Sequence, residues 1–192
     1  MKVLMLNGSR RANGCTFTAL SEVAKVLNAS DIETEIIHIG KDAVNGNINA
    51  AVKEVSEKLK EADGLVVGSP VYFASATGEV IAFLDRLFMT AEKDLRLKPA
   101  AAIASARRGG TTATLDVLNK YFTYAEMPVV SSRYWNIVHG YTPEDVLADK
   151  EGVQIMQVLG RNMAWMLKCI EAGKTAGIEP PPAVEKIFTN FI

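Results

Sequence analysis

The sequence of 192 residues has few of the side chains that build disulfide frameworks or metal sites, with only two cysteines and two histidines. Cys15 and Cys169 are far apart in the chain, and neither has another cysteine near it. This pattern excludes a disulfide framework and a metal site made by cysteine thiolates alone. We therefore expect no bound metal and a reducing, cytoplasmic location.

The sequence also lacks an excess of charge of one sign and lacks long hydrophobic runs. Its 21 lysines and arginines nearly balance its 22 aspartates and glutamates, which leaves a formal net charge of -1. Without a strong overall field, we expect no binding to nucleic acid or to an anionic membrane surface. The apolar run at residues 3–6 is too short for a signal sequence or a membrane span, so we expect no targeting segment.

Short apolar runs alternate with longer segments in which apolar residues recur every three or four positions, as at Phe17, Leu20 and Val23. The runs cover residues 3–6, 36–39, 65–67, 100–104, and a split fifth run at 129–130 and 137–138. Strands without polar alternation are buried on both faces, which indicates a parallel sheet between two layers of helices. Because crossover connections are right-handed, we predict a doubly wound α/β fold with five parallel strands.

We predict one domain over residues 1–173 and a C-terminal arm over residues 174–192. Three consecutive prolines at 180–182 prevent the last helix from continuing. The arm then carries apolar residues at a spacing that gives a short helical turn one apolar face: Val184, Ile187, Phe188 and Phe191. So short a segment is not stable alone in water, so we expect it to pack on the domain or on a partner subunit. Two-fold dimers are the commonest oligomers, and we expect a homodimer or a higher homo-oligomer.

The first predicted strand is followed by a loop of small polar residues and arginines, NGSRRANGCT, at residues 7–16. In open α/β sheets, ligands bind at the carboxyl ends of the strands, where helix N-termini attract anions. Ser9 and Thr16 offer hydroxyl groups and Arg11 offers a charged donor. The loop therefore predicts a phosphate site. The alternative is a polar turn that only caps the next helix at Thr16.

Residue spacing excludes two common phosphate loops. A mononucleotide P-loop needs a lysine followed by serine or threonine, whereas this helix starts with Cys15 and Thr16. A dinucleotide fingerprint needs three glycines in G-x-G-x-x-G, whereas the loop has only Gly8 and Gly14.

The loops resemble those of flavodoxin-like FMN proteins, specifically the NAD(P)H-dependent FMN reductases and the iron–sulfur flavoproteins. In that family a G-S-x-R-x-x-G-x-T loop holds the FMN phosphate, and residues 8–16 match every fixed position. A second family motif, G-S-P-V-Y-F-x-S-x-(S/T)-G, is present at residues 68–78, and a third loop at residues 106–110 resembles the flavin-pyrimidine loop. The resemblance covers about residues 1–140 and implies a flavodoxin-like sheet with strand order 2-1-3-4-5.

The resemblance implies that these three loops form the site for bound FMN. The phosphate loop would contribute Ser9, Arg11, Asn13, Gly14, Cys15 and Thr16. The second motif would contribute Pro70, Val71, Tyr72, Phe73 and Ser75. The third loop would contribute Ala106, Arg107, Gly109 and Gly110. No side chain is expected to be catalytic, because N5 of the flavin carries the chemistry.

The resemblance further implies an enzyme that takes electrons from NADPH or NADH and passes them by ping-pong hydride transfer to a small acceptor. Quinones, nitro or azo compounds, metal oxyanions and free flavin are all compatible acceptors. The alternatives are a non-catalytic FMN-binding electron carrier or scaffold, and a relative that binds another phosphorylated ligand.

The sequence departs from the iron–sulfur members of the family at one segment. Those members bind their cluster with closely spaced cysteines between the second strand and the second helix, and residues 40–50 contain no cysteine. We therefore expect no cluster. Cys15 stands where the family often has asparagine or serine, and it is either an unreactive small residue or an oxidation site.

Overall fold

The computed structural model describes residues 1–42 and 45–190, in which strands and helices alternate along the chain. The strands in this part are β1 (Lys2–Asn7), β2 (Glu33–His38), β3 (Gly64–Tyr72), β4 (Ser75–Ala76), β5 (Ala100–Ala106) and β6 (Ile137–His139). The helices are α1 (Cys15–Asn28), α2 (Ile48–Glu61), α3 (Gly78–Leu95), α4 (Thr111–Tyr124), α5 (Pro143–Ala148) and α6 (Lys150–Thr175). None of the helices described is long and apolar enough to span a membrane.

Five of the strands form a parallel sheet in the order β2-β1-β3-β5-β6, and the short β4 pairs antiparallel with the end of β3. With β4 set aside, this is the predicted order 2-1-3-4-5, so the flavodoxin-like α/β fold class is confirmed. Because the strands run parallel, their carboxyl ends meet at one edge of the sheet. The loops after β1, β3, β5 and β6 therefore come together there.

The sheet is covered by a hydrophobic layer on each face. Leu4 and Leu6 of β1 pack in the layer that includes buried side chains of α2, α3 and α4. Val3 and Met5 point the other way, into the layer that includes α1 and α6. Adjacent residues of one strand are thus buried on opposite faces, which explains why the strands are continuously apolar in sequence.

The prediction of a strand at residues 129–130 was wrong, and β6 forms only the second half of that split run. Val129 makes an isolated bridge with Ala100, and Val130 is buried against the start of β5 without a continuing ladder. Burial in a loop therefore produced the same apolar signal as a strand. The pairing of β6 with the end of β5 is a tertiary contact that short sequence runs do not reveal.

The second motif forms a strand end and a hairpin, where the sequence indicated a loop. β3 continues to Tyr72, although Gly68 and Pro70 are poor strand residues. The pairing of β3 with β1 ends at Gly68, while its pairing with β5 continues to Pro70. Because one side of β3 is free beyond Gly68, a residue without an N–H group is tolerated there.

The C-terminal arm leaves the domain after α6 ends at Thr175. Residues 178–190 form neither helix nor strand, so the predicted helical turn is not present in the single chain. Val184, Ile187 and Phe188 are exposed. Phe191, the fourth apolar residue of the predicted face, lies outside the described residues.

Candidate functional site

The carboxyl ends of the strands enclose a cleft of about 210 Å³. Residues of the loops after β1 and β6, of β3 and of the end of β5 form its walls. They are Ser9, Arg11, Cys15, Thr16, Pro70, Val71, Tyr72, Ser105, Ala106, Arg107, Gly140 and Tyr141. The cleft therefore brings together parts of all three loops that the sequence singled out.

Some residues proposed from the sequence do not line this cleft. They are Asn13, Gly14, Phe73, Ser75, Gly109 and Gly110, which lie in the same three loops. Three lining residues were not expected from the sequence, namely Ser105, Gly140 and Tyr141. Ser105 lies directly before the third loop, and its polar hydroxyl group is the feature from which its role in the site could have been predicted. The other two follow β6 and lie outside the three motifs.

The loop at residues 7–16, which we call the phosphate loop, is folded around the buried amide of Asn7. The Nδ2 of Asn7 donates to the carbonyl of Ala12 at 2.8 Å, and its Oδ1 accepts from the N–H of Ser9 at 3.1 Å. The Ser9 hydroxyl in turn accepts from the N–H of Arg11 at 3.2 Å. The loop is thus held together by its own side chains.

The N-terminus of α1 has no side-chain cap. Its N-cap residue is Gly14, and α1 begins at Cys15, so the alternative of a cap at Thr16 was wrong. The free N–H groups of the first turn attract an anion. A Cβ at Gly14 would lie 3.2 Å from Cβ of Arg11 and 3.6 Å from the Ser9 hydroxyl oxygen. Glycine therefore keeps open a small space between the helix end and the two polar residues.

A buried pair of hydroxyl groups joins α1 to β5 below the cleft. The oxygens of Thr16 and Ser105 are 2.7 Å apart, and either can be the donor. Each hydroxyl carries one hydrogen, and the pair uses only one of them. One O–H group therefore stays free to donate to a ligand in the cleft.

The tip of the β3–β4 hairpin is strained. Tyr72 pairs with Ser75, and the two residues between them, Phe73 and Ala74, have φ angles of 50° and 58°. Two positive φ angles are typical of a type I′ turn, in which asparagine and glycine are preferred. A left-handed conformation costs a residue with a Cβ about 1–2 kcal/mol. The Phe73 side chain gains no burial from this turn, since its relative exposure is 105%.

The loop after β5 lies directly against this hairpin because of Gly110. Its φ angle is 97°, and a Cβ there would lie 2.7 Å from Cα of Ala74 and 2.8 Å from Cγ1 of Val71. A side chain is therefore excluded by both conformation and space. Gly110 is also the N-cap of α4, which has no side-chain cap either.

The charge in the cleft is positive. Arg11 and Arg107 line it, and the described lining residues include no carboxylate. The guanidinium carbon of Arg11 lies 5.8 Å from the centre of the Tyr141 ring, within range of a cation–π contact. A cleft with two arginines and an uncapped helix end suits a phosphate group.

Comparison with known proteins places the chain in a family. The profile of the NADPH-dependent FMN reductase family matches residues 1–142. The chain belongs to this family. It is therefore an FMN-dependent oxidoreductase that uses NAD(P)H.

Two relatives and one solved structure show how far the similarity extends. An iron–sulfur flavoprotein of Methanocaldococcus jannaschii is 28% identical, over 89% of this chain and 100% of the relative. The FMN reductase (NADPH) of Escherichia coli is 32% identical, over 76% of this chain and 74% of the relative. The structure of RosB with the bound intermediate 8-demethyl-8-formylriboflavin-5'-phosphate has a TM-score of 0.71 at 17% identity, over 100% of this chain and 92% of that one. This last match shows the shared fold.

The cleft of this family member fits one end of FMN. Arg11, the open space at Gly14 and the uncapped start of α1 match the needs of a phosphate. The cleft volume of about 210 Å³ is below the roughly 300–1,000 Å³ usual for ligand pockets. It therefore suits part of the cofactor.

The surroundings of Cys15 favour its protonated thiol form. Burial raises its pKa, and the positive charge of Arg11 only partly opposes this. Its Sγ lies 3.6 Å from the carbonyl oxygen of Gly140, in reach of a weak S–H hydrogen bond. Because the thiolate is the reactive form, these surroundings favour an unreactive small residue over an oxidation site. In the described parts of the chain, no group of three or more His, Cys, Asp or Glu residues is arranged to hold a metal ion.

Proposed function

We propose that this reductase binds FMN in the cleft, with the phosphate at the phosphate loop, and reduces a small acceptor with NAD(P)H. One observation supports this most strongly: the uncapped N-terminus of α1 opens, beside Arg11, into a cleft whose described walls carry no carboxylate. A dianionic phosphate is the ligand group that such a site favours.

The phosphate loop would hold the phosphate group through both side chains and backbone. Arg11 supplies a charge-assisted hydrogen bond, and the first-turn N–H groups of α1 supply further donors. The residues proposed to surround the phosphate are Ser9, Arg11, Asn13, Gly14, Cys15 and Thr16. Because Thr16 already shares a hydrogen with Ser105, these two residues would act as one donor.

The hairpin and the loop after β5 would hold the flavin ring. The proposed contacts in the hairpin are Pro70, Val71, Tyr72, Phe73 and Ser75, and those after β5 are Ala106, Arg107, Gly109 and Gly110. Arg107 brings positive charge to this end of the cleft, which stabilises negative charge on a reduced ring. The exposed Phe73 offers an apolar surface beside an open face, where a nicotinamide and then an acceptor can approach.

The residues of the cleft bind and orient, and they do not transfer protons. The described lining contains no histidine, lysine, aspartate or glutamate, and the Cys15 thiol has a raised pKa. When bound, FMN would supply the redox chemistry, accepting a hydride from NAD(P)H and giving electrons to a second substrate in ping-pong turnover, while the residues of the cleft would hold and orient it. We propose that this substrate is a quinone, a nitro or azo compound, a metal oxyanion or free flavin.

Because the chain belongs to a family of reductases, the alternative of a non-catalytic FMN-binding electron carrier is not retained. We propose that the chain works without an iron–sulfur cluster, although several relatives are iron–sulfur flavoproteins. Residues 40–50 have no cysteine, and the chain's two cysteines are Cys15 and Cys169.

We also propose that the protein is a cytoplasmic homodimer in which residues 1–173 form the FMN-binding domain. Both cysteines are free thiols, as is typical of a reducing compartment. The arm at residues 174–192 would pack on this domain or on a partner subunit. Its exposed apolar side chains support such packing.

The test of the proposed function is an anaerobic titration of the FMN-loaded protein with NADPH and, separately, with NADH. We expect yellow protein whose flavin absorbance falls on addition of at least one of the two, and recovers when a quinone is added. If dithionite bleaches the flavin but neither NADPH nor NADH does, the proposed NAD(P)H-dependent activity is contradicted. That result would favour the alternative of a non-catalytic electron carrier. Failure to retain FMN would contradict the cleft as its site.

A further inference from the structure

A second cavity shares no lining residue with the cleft and lies between α3 and α4. This groove has a volume of about 770 Å³. Its apolar lining includes Phe88, Met89, Tyr121 and Tyr124, and Met89 has a relative exposure of 86%. Exposed apolar surface of this extent, rimmed by charged residues, is typical of an interaction site.

The C-terminal arm is anchored at one end of this groove. Arg96 donates to the backbone carbonyl of Pro181 at 3.0 Å. Lys186 forms an ion pair with Glu92, and its ammonium nitrogen lies 4.7 Å from the centre of the Tyr124 ring. Glu92 and Tyr124 both line the groove. The arm therefore reaches the mouth of the groove of its own chain.

Beyond this anchor the arm turns its apolar side chains away from its own domain. Ile187 and Phe188 have relative exposures of 98% and 80%. A single chain thus leaves two apolar surfaces uncovered side by side, the groove and the arm. The arm contacts the mouth of its own groove through Lys186, while Ile187 and Phe188 stay exposed and are free to contact another molecule.

A second copy of the chain carries both surfaces and can satisfy both at once. In a two-fold dimer each contact occurs twice, so the arm of one copy in the groove of the other is matched by its reciprocal. Ile187 and Phe188 directly follow the anchored Lys186, and two residues span at most about 7 Å when extended. The mouths of the two grooves must therefore lie close to each other, which brings the α3–α4 faces of the two copies together.

We propose that the α3–α4 groove is the docking site for the C-terminal arm of a second copy, with Ile187 and Phe188 as the inserted side chains. The Lys186–Glu92 ion pair within each chain fixes the point at which the arm leaves for its partner. The inference rests on the homodimer proposed above and not on the flavin chemistry. Its test measures association, so its failure and a failure of NAD(P)H reduction are distinguishable.

The test uses the full chain and compares two variants that disable opposite surfaces. The arm variant carries Ile187→Asp and Phe188→Asp, and the groove variant carries Met89→Asp. We expect the wild type to be a dimer by sedimentation equilibrium, and each variant to raise the dimer dissociation constant roughly 100-fold, as hot-spot losses do. Leu147→Asp, at an exposed apolar position on α5, is the matched control and should leave association unchanged.

Mixing the two variants separates exchange of arms from docking within one chain. Each variant alone lacks both contacts of the dimer, but a mixed dimer retains one intact arm in one intact groove. We expect the mixture to associate at least about tenfold more tightly than either variant alone. A monomeric wild type at 100-micromolar scale, an arm variant that dimerises like the wild type, or a mixture without recovery would each overturn the proposal. If the arm variant dimerises like the wild type, the groove is instead a helix-to-helix contact between the copies. If the mixture shows no recovery, the groove instead belongs to the arm of its own chain.

Discussion

The phosphate loop and the tip of the β3–β4 hairpin lie at the same edge of the sheet, but they are stabilised in opposite ways. The phosphate loop is organised by the buried amide of Asn7, which bonds to the backbone at Ser9 and Ala12. The hairpin tip has two left-handed residues that are not glycine, and it exposes Phe73 fully.

The difference follows from what each loop is proposed to contact. A phosphate is recognised by several donors, and donors fixed in advance bind it with little loss of conformational entropy. A flavin ring and its substrates are flat and partly apolar, so they need an accessible surface. The hairpin packs directly against Gly110, where a Cβ would contact Ala74 and Val71.

The largest effect is expected from Gly40→Ala, which presses on the phosphate loop from the neighbouring segment after β2. A Cβ at Gly40 would lie 2.1 Å from the carbonyl oxygen of Ser9 and 2.7 Å from that of Gly8. Backbone must shift to relieve this contact, so we expect a loss of about 3 kcal/mol in unfolding free energy. FMN affinity should fall as well. Gly78→Ala has open space around it and should be nearly neutral in the same denaturant titration.

Asn7→Ala removes the internal support of the phosphate loop without adding bulk. It leaves the N–H of Ser9 and the carbonyl of Ala12 without their partner. We expect a loss of about 1–3 kcal/mol in the free energy of unfolding, the cost of leaving the buried N–H of Ser9 unsatisfied. Chemical denaturation measures it, and an unchanged midpoint would show that the loop is held by other contacts.

Gly110→Ala tests the support of the hairpin. The substitution forces a left-handed alanine and places its Cβ 2.7 Å from Cα of Ala74, so we expect a loss of about 2 kcal/mol. The adjacent Gly109→Ala is the control, because no atom lies within 4 Å of a Cβ there. Equal midpoints of thermal unfolding for the two variants would contradict the packing described for this loop.

Ala74→Gly should relieve part of the hairpin strain and gives the smallest effect. Glycine adopts the φ angle of 58° freely, but it loses more backbone entropy on folding. The two terms nearly cancel, and we expect a net gain of about 0.5 kcal/mol in unfolding free energy. A loss of stability in denaturant titrations would mean that the turn is not strained.

The fold could be predicted to the extent that it depends on continuous apolar strands. β1 and β5 were recognised because both faces of each strand are buried, so nearly every residue is apolar. β4 has two residues and β6 has three, too few for any periodicity. Their positions depend on pairing with β3 and β5, which local sequence does not contain.

The candidate site was predictable where one contiguous motif forms it. The phosphate loop supplies Ser9, Arg11, Cys15 and Thr16 to the cleft from a single stretch of sequence. Gly140 and Tyr141 come from a distant segment that only the pairing of β6 brings to the cleft. The strain at Phe73 and Ala74 was likewise hidden, since neither residue type signals a positive φ angle.

The central claim is that the phosphate loop binds the phosphate of FMN, and the most direct test is the binding of FMN and riboflavin to Arg11→Ala and wild type. Riboflavin has the same ring without the phosphate. Calorimetric titration should show that the variant loses about 1.5–3 kcal/mol of FMN binding free energy, while riboflavin binding changes little. Equal losses for the two ligands, or no loss for FMN, would contradict the placement of the phosphate beside Arg11.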